Sequence, residues 1–314
     1  MLNLHRMRLL VELHRRGTLA EVAAALSYSP SSVSQQLSQL QSEAGVELIE
    51  PVGRGVRLTA AGEILVRHAE MILRQIDRAE ADLAATRSEI VGELKVATFQ
   101  TAAIALIPDI LTIVSERHPA LTLYFTEIQP DAGTAALLAR EFDLVLGEQY
   151  PGQEHPPATG IERQRLFSDA LRLYTAGNEG RHTNRTQLSD FADAHWVFEP
   201  RGKPARAWAE AACRAAGFEP RVRFESADLL VHVQLVETGH ATALLPDLVW
   251  GSRCPTGRFV APPGAPTRDV FTAVRAGAET RPALVALRGV LGETAGRLEL
   301  DSGHEHRAPT STRC

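Results

Sequence analysis

No stretch of the 314 residues stays apolar for long enough to cross a membrane. The most continuous, Thr101 to Val114, is interrupted by Pro108 and Asp109, against the roughly 20 apolar residues that a spanning helix needs. Met1 to Leu13 mixes apolar with basic side chains and lacks the unbroken apolar core and small-residue cleavage site of a secretory signal, so the expected compartment is the cytoplasm. Cysteine is scarce. Cys213, Cys254 and Cys314 are odd in number, scattered and outside any CxxC or His-spaced pattern, which argues against disulfides and a structural zinc. There is no GxSxG elbow, no GxxxxGKS or GxxxxGKT phosphate loop, no HExxH and no GxGxxG behind a strand, so neither an active site nor a cofactor is expected. Lysine occurs only at Lys95 and Lys203, which coding bias explains as well as function does. What remains, 44% hydrophobic and 23% charged residues with a net charge of -5, is the composition of ordinary folded domains, and the length suffices for two or three.

Residues 2 to 58 read as a helical unit closed by a hairpin. Leu4, Met7, Leu10 and Val11 recur at helical spacing, and Gly17 stands where a C-terminal cap belongs. Thr18 and Glu21 fit a capping box for a short second helix through Val22, Ala25 and Leu26. Ser29 and Pro30 then supply the cap and first-turn proline of a third helix ending near Gly45. On that helix Val33, Leu37, Leu40 and Ala44 share one side, while Ser31, Gln35, Ser38, Gln39 and Ser42 share the other. Ser29 to Ser42 holds no charge, although a solvated helix face usually carries Lys, Glu or Arg. Gln can pair in bidentate fashion with adenine, and short Ser hydroxyls reach bases or phosphates without filling a major groove. A solvated helix that happens to be rich in Ser and Gln is the competing reading. The segment that follows favours DNA: Glu47 to Glu50 and Val56 to Leu58 flank a glycine-permissive tip that presents Arg54 and Arg57 to a duplex backbone. Residues 1 to 58 hold six Arg and five Glu, so affinity has to come from local placement and from two copies of the unit rather than from bulk charge.

The run from Leu26 to Leu37, followed by Leu40, Gly45 to Glu50, Gly53 to Val56, Leu58-Thr59 and Ala61-Gly62, resembles the winged helix-turn-helix of LysR-type transcriptional regulators. It departs from the family pattern at Gln36, Gln39 and Pro51, where arginines are frequent. The resemblance implies a DNA interface of Ser29, Ser31, Ser32, Ser34, Gln35, Ser38, Gln39, Arg54 and Arg57. From Ala60 to Ser88 the chain has no proline and only Gly62, enough for a helix about 43 Å long. Leu65, Ala69, Ile72, Ile76, Ala79 and Leu83 form a heptad seam in it, expected to pair with a second copy; packing on its own domain is the alternative.

From Gly92 onward short strands alternate with helices, the rhythm of open α/β layers. Expected strands are 93–98, 121–127, 143–147, 161–166, 170–174, 195–198, 221–225, 241–245 and 270–274, and expected helices 101–117, 131–140, 204–215, 228–238 and 281–298. The fold class is α/β behind an all-α winged helix-turn-helix. The resemblance implies a two-lobed effector domain similar to periplasmic binding proteins. The domains are then 1–58 for DNA binding, 59–90 for the dimerisation helix, 91–300 for effector binding and 301–314 as a disordered tail, which carries His304-Glu305-His306. Ligands in such sheets sit where strand ends meet helix starts, which nominates Thr98, Thr101, Ala102, Gln129, Pro130, Gly147, Pro200, Arg201, Ser226 and Thr242. Caps such as Thr101 and Ser226 beside unpaired N–H groups would suit a carboxylate-bearing metabolite.

The function expected is a dimeric or tetrameric regulator that binds promoter double-stranded DNA, answers to a small-molecule effector and has RNA polymerase as a further partner. Three rivals are a secreted solute-binding protein, disfavoured by the first 90 residues, an α/β enzyme needing a convergent nucleophile and base at the cleft, and a regulator whose lobes serve oligomerisation alone.

Overall fold

The computed structural model describes residues 1–26, 28–53, 55–129, 132–153, 157–177, 185–251 and 253–305, with side chains as far as Leu298. Local chemistry sets the N-terminal unit. Helix α1 (Leu4–Arg16) starts at Asn3, whose side chain accepts from the Arg6 N–H, and stops at Gly17, which is left-handed at φ 82°. Helix α2 (Leu19–Ala25) is capped by the Thr18 hydroxyl, and α3 (Pro30–Ala44) by the Ser29 hydroxyl, with Pro30 in its first turn. Val33, Leu37 and Leu40 of α3 are buried with Leu10, Val11, Val22 and Leu48 in one core. Strands β1 (Ile49–Val52) and β2 (Gly55–Leu58) form the antiparallel wing. Gln41 of α3 anchors it, its side-chain oxygen accepting from the Leu48 and Ile49 N–H groups at 2.9 and 3.0 Å.

Helix α4 (Ala60–Ala85) is capped by Thr59, whose hydroxyl accepts from the Gly62 N–H at 3.0 Å and donates to the Glu47 carbonyl at 2.7 Å. A Cβ on Gly62 would lie 2.1 Å from the Leu48 carbonyl oxygen, so only glycine lets the helix start this close to the wing. The heptad seam expected on α4 divides. Ala69 is buried in the N-terminal core and Leu65 packs against it, whereas Ile72, Ala79 and Leu83 are exposed and Ile76 is half-buried. With Ile64 and Met71 these form an uncovered apolar stripe on the subunit.

The effector half begins with β3 (Gly92–Thr98). The single helix expected over 101–117 is two, α5 (Gln100–Ala105) and α6 (Ile107–Arg117), because Pro108 has no N–H to carry a ladder through. Next come β4 (Leu121–Glu127), α7 (Gly133–Leu138) and β5 (Leu144–Gln149). The segments expected as two strands at 161–166 and 170–174 are one, β6 (Ile161–Thr175). The second lobe adds β7 (His195–Phe198), α8 (Pro204–Ala215), β8 (Arg221–Glu225), α9 (Leu229–Glu237), β9 (Ala243–Pro246) and the unanticipated short β10 (Arg258–Val260). Strand β11 (Thr267–Arg275) returns between β5 and β6. The main sheet runs β10-β6-β11-β5-β3-β4, with β9 also on β6, so β6 and β11 link the lobes. Helix α10 (Pro282–Glu305) covers the first lobe through Leu284, Leu287 and Leu291 and continues past the expected start of the tail at 301. Residues 306–314, with His306 and Cys314, lie outside the described residues. Cys213 is buried and Cys254 exposed.

Candidate DNA-binding face and interlobe cleft

Ser31, Gln35, Ser38, Gln39 and Ser42 lie together on the exposed face of α3, and Ser32 and Ser34 are half-buried beside them. Several hydroxyls have local partners: Ser29 holds the helix start and sits 2.9 Å from the Ser31 hydroxyl, Ser38 donates to the Ser34 carbonyl and Ser42 to that of Ser38. Among the described residues the Gln35 and Gln39 amides have no partner in the subunit. Gln36, by contrast, accepts from Arg6 Nε at 2.9 Å, and Arg6 also pairs with Glu43, fastening α1 to α3. Arg57 is paired across the wing with Glu50, so this guanidinium must exchange a protein carboxylate for any phosphate it meets. Arg54 lies outside the described residues.

A second constellation lies between the lobes, centred on Arg268 of β11, which is 1% exposed. Its Nε donates to Asp169 of β6 at 2.9 Å, and Nη2 donates to the Thr101 hydroxyl at 2.6 Å and lies 2.7 Å from Asp169. Nη1 meets Glu148 of β5 and donates to the Tyr150 hydroxyl at 3.2 Å. The guanidinium also lies over the Phe99 and Tyr150 rings. Burial opposes its charge, but Tyr150, Glu148 and Asp169 outweigh that and hold it cationic. Burial raises the pKa of Glu148 and of Asp169, and Arg268 pulls each partly back. Gln100 joins the lobes directly, donating to Asp228 Oδ1 at 2.7 Å and accepting from the Leu229 N–H at 2.9 Å at the start of α9.

Residues 4–63 match the family described as bacterial regulatory helix-turn-helix protein, lysR family, and residues 87–296 match the LysR substrate binding domain. The chain belongs to the LysR family of transcriptional regulators. Similar proteins include the regulator GbpR of Azospirillum brasilense, 26% identical over 82% of this chain and 75% of that protein, and ClcR of Pseudomonas putida, 28% identical over 77% and 82%. Among solved structures, the LysR family regulator CbnR is 25% identical, covers 94% of this chain and 100% of its own and superposes with a TM-score of 0.52. An OxyR variant from Pseudomonas aeruginosa covers 94% and 95% at a TM-score of 0.63 and 20% identity. The LysR regulator is thus a DNA-binding protein with an effector domain and not an enzyme. Among the described residues no helix is long and apolar enough to cross a membrane and no His, Cys, Asp or Glu cluster could hold a metal.

In this LysR regulator the effector residues expected from sequence separate into groups. Thr101 reaches the constellation through Arg268. Ser226 is in the turn before α9, its hydroxyl accepting from the Asp228 N–H and its carbonyl facing His232 Nε2 at 2.8 Å. Pro200 and Arg201 occupy the loop before α8, half-buried and exposed, and Gln129 is exposed after β4. Four lie away from the constellation. Ala102 belongs to the first-lobe core, and the Thr98 hydroxyl is buried against the Phe99 carbonyl. The space before Gly147 is filled by the Phe271 ring. Thr242 lines a separate cavity of about 200 Å³ with His195 and His240. Pro130 lies outside the described residues. Arg206 of α8 is buried and bound to Glu210, Glu225 and the Glu199 carbonyl. Arg268, Asp169 and Gln100 went unnoticed in the sequence. The signal that could have found the first two is a charged residue inside an apolar strand, as at Asp169 before Ala170-Leu171.

Proposed function

We propose that this LysR regulator is a cytoplasmic homodimer or homotetramer that reads promoter DNA with α3 and the wing and is switched by a small molecule held between its lobes. The reading rests on one observation: the exposed, uncharged face of α3 ends in two glutamine amides, Gln35 and Gln39, without partners in the subunit. In a major groove those amides can pair with base edges, while Ser29, Ser31, Ser32, Ser34, Ser38, Arg54 and Arg57 serve phosphates and position. The units are residues 1–58 for DNA, 59–90 for the linker and 91–300 for the effector. The stripe of Ile72, Ile76, Ala79 and Leu83 sets two copies of α3 against two half-sites. Coupling is population shift: an effector that prefers one lobe arrangement shifts the spacing of the DNA-binding units, and operator must change effector affinity by the same factor.

Footprinting on the intergenic DNA beside the gene tests this. Gln35→Ala is expected to relax base preference at one position per half-site, and Arg54→Ala to weaken every duplex alike. The converse pattern, or no protected site, refutes the assignment.

A further inference from the structure

Arg268 and Gln100 join the lobes in different ways. On the crossing strands Arg268 and Asp169 pair out of water, their side chains 1% and 2% exposed, and a buried pair of that kind is costly to break. Gln100 stands one residue before Thr101, which Arg268 also holds, and reaches across to the second lobe with two hydrogen bonds of the opposite character. Its amide nitrogen donates to Asp228 Oδ1 at 2.7 Å, and its amide oxygen accepts from the Leu229 N–H at 2.9 Å. Asp228 is exposed and Gln100 half-buried, so water can take over both bonds when the lobes part. Leu229 is the decisive partner. It is the first residue of α9, where an N–H has no acceptor within the helix. Asp228 satisfies the next two donors, its side chain accepting from the Leu230 N–H at 2.9 Å and its carbonyl from that of Val231 at 3.1 Å. Among the described residues the acceptor for the Leu229 N–H is thus a side chain of the other lobe. The cavity beside this contact, lined by Leu229, His232, Tyr150 and Phe198, measures about 20 Å³, room for about one water. A larger molecule enters there only when α9 moves off α5, and that movement breaks both Gln100 bonds.

We infer that Gln100 is an interlobe latch, its amide standing at the start of α9 and holding the cleft shut until an effector displaces it. This rests on the reading of the cleft as the effector site. The experiment measures the distance between the lobes in the unliganded full-length protein, by double electron–electron resonance between spin labels on Glu116→Cys of α6 and Gln234→Cys of α9, both exposed positions. Cys254 and Cys314 are replaced by Ser, and labelled subunits are diluted into unlabelled ones. The parent is expected to give mainly the shut distance. In Gln100→Ala the ratio of open to shut distances is expected to rise about tenfold, for the loss of two solvent-accessible hydrogen bonds, one of them to a carboxylate. Gln100→Glu sets a carboxylate against Asp228 and is expected to open the cleft at least as far. Adding Asp228→Asn, which still caps α9 and can donate to the new carboxylate, is expected to shut it again. A residue that merely supported α5 would not be rescued from the opposite lobe. Thermal melting of each variant shows that it is folded. Unchanged distances in both single variants overturn the latch, as does opening in Gln100→Glu that Asp228→Asn fails to reverse. Footprinting of the same preparations keeps the readings apart: unchanged distances with a protected operator overturn the latch alone, whereas opened lobes with the parent's footprint support the latch and overturn the coupling of lobe arrangement to DNA.

Discussion

Asp77 is the residue by which α4 grips the effector domain, and its removal should loosen that grip by a measurable amount. Its carboxylate is 5% exposed and lies 2.8 Å from Arg140 Nη2 and 3.4 Å from Arg275 Nε. Deleting one partner of a buried ion pair commonly costs about 3–5 kcal/mol. Two features reduce the figure. Arg275 keeps the Leu137 and Phe142 carbonyls, at 3.2 and 2.7 Å, as well as Asp143. Burial also raises the pKa of Asp77 despite the pull of Arg275 and Arg140, so holding its charge is itself unfavourable. Against this, Arg8, Arg140 and Arg275 would face one another with less counter-charge between them, and Arg140 and Arg275 already lower the pKa of Arg8 beyond what desolvation does. The balance is about 2–3 kcal/mol for Asp77→Ala, with Asp77→Asn milder. Amide hydrogen exchange reads the contact directly: protection over residues 72–85 should fall about 30- to 150-fold while the first-lobe core stays protected. Asp82→Ala, on the exposed side of the same helix, serves as the control. Unchanged protection in Asp77→Ala would refute the idea that this contact holds the helix to the lobe.

Three further outcomes are expected. Glu199 holds its proton in the folded state up to about pH 7 but only to about 4.5 when unfolded, so the folded state binds more protons between those values. Stability should therefore fall as pH rises from about 4.5 to 7, by up to about 3 kcal/mol, and melting curves of Glu199→Gln should lack that slope. Ile72→Asp with Leu83→Asp places charge on the uncovered stripe of α4 and should yield a smaller species in light scattering that no longer protects both half-sites; an unchanged mass would mean the stripe is not the dimer contact. Gly62→Ala brings a methyl against the Leu48 carbonyl and should lower the urea midpoint of the N-terminal unit by an amount equivalent to about 2–3 kcal/mol, whereas Gly289→Ala, where nothing lies nearby, should not.

The N-terminal unit was legible because its determinants are local. Thr18, Ser29 and Gly45 act on N–H and C=O groups within a turn, and the spacing of Val33, Leu37 and Leu40 alone decides which face is buried. The α4 seam was half legible, since heptad spacing marks an apolar stripe without saying what covers it, and the unit's own core took Leu65 and Ala69. In the effector half the positions of strands and helices followed from alternation and from turn residues. The cleft did not, because it is assembled across distance: Arg268 meets Asp169, Glu148 and Thr101 over separations of 99, 120 and 167 residues, and no local pattern encodes such a meeting. Arg268 and its partners went unanticipated for the same reason. Helix starts such as Thr101 were visible, and the charge that occupies them was not.

Strand β11 carries Arg268 near its beginning and Arg275 at its end. Seven residues of extended chain, about 23 Å, separate the guanidinium in the cleft from the one that holds Asp77. On the β5 side the ladder runs unbroken from Asp269 to Ala273, while on the β6 side a bulge falls between Val270 and Phe271. The strand is thus paired along both flanks, over its whole length on the β6 side and over five residues on the β5 side, with its one irregularity on the β6 side. One strand therefore carries both the guanidinium at the cleft and the guanidinium that meets Asp77 on the long helix behind the DNA-binding unit.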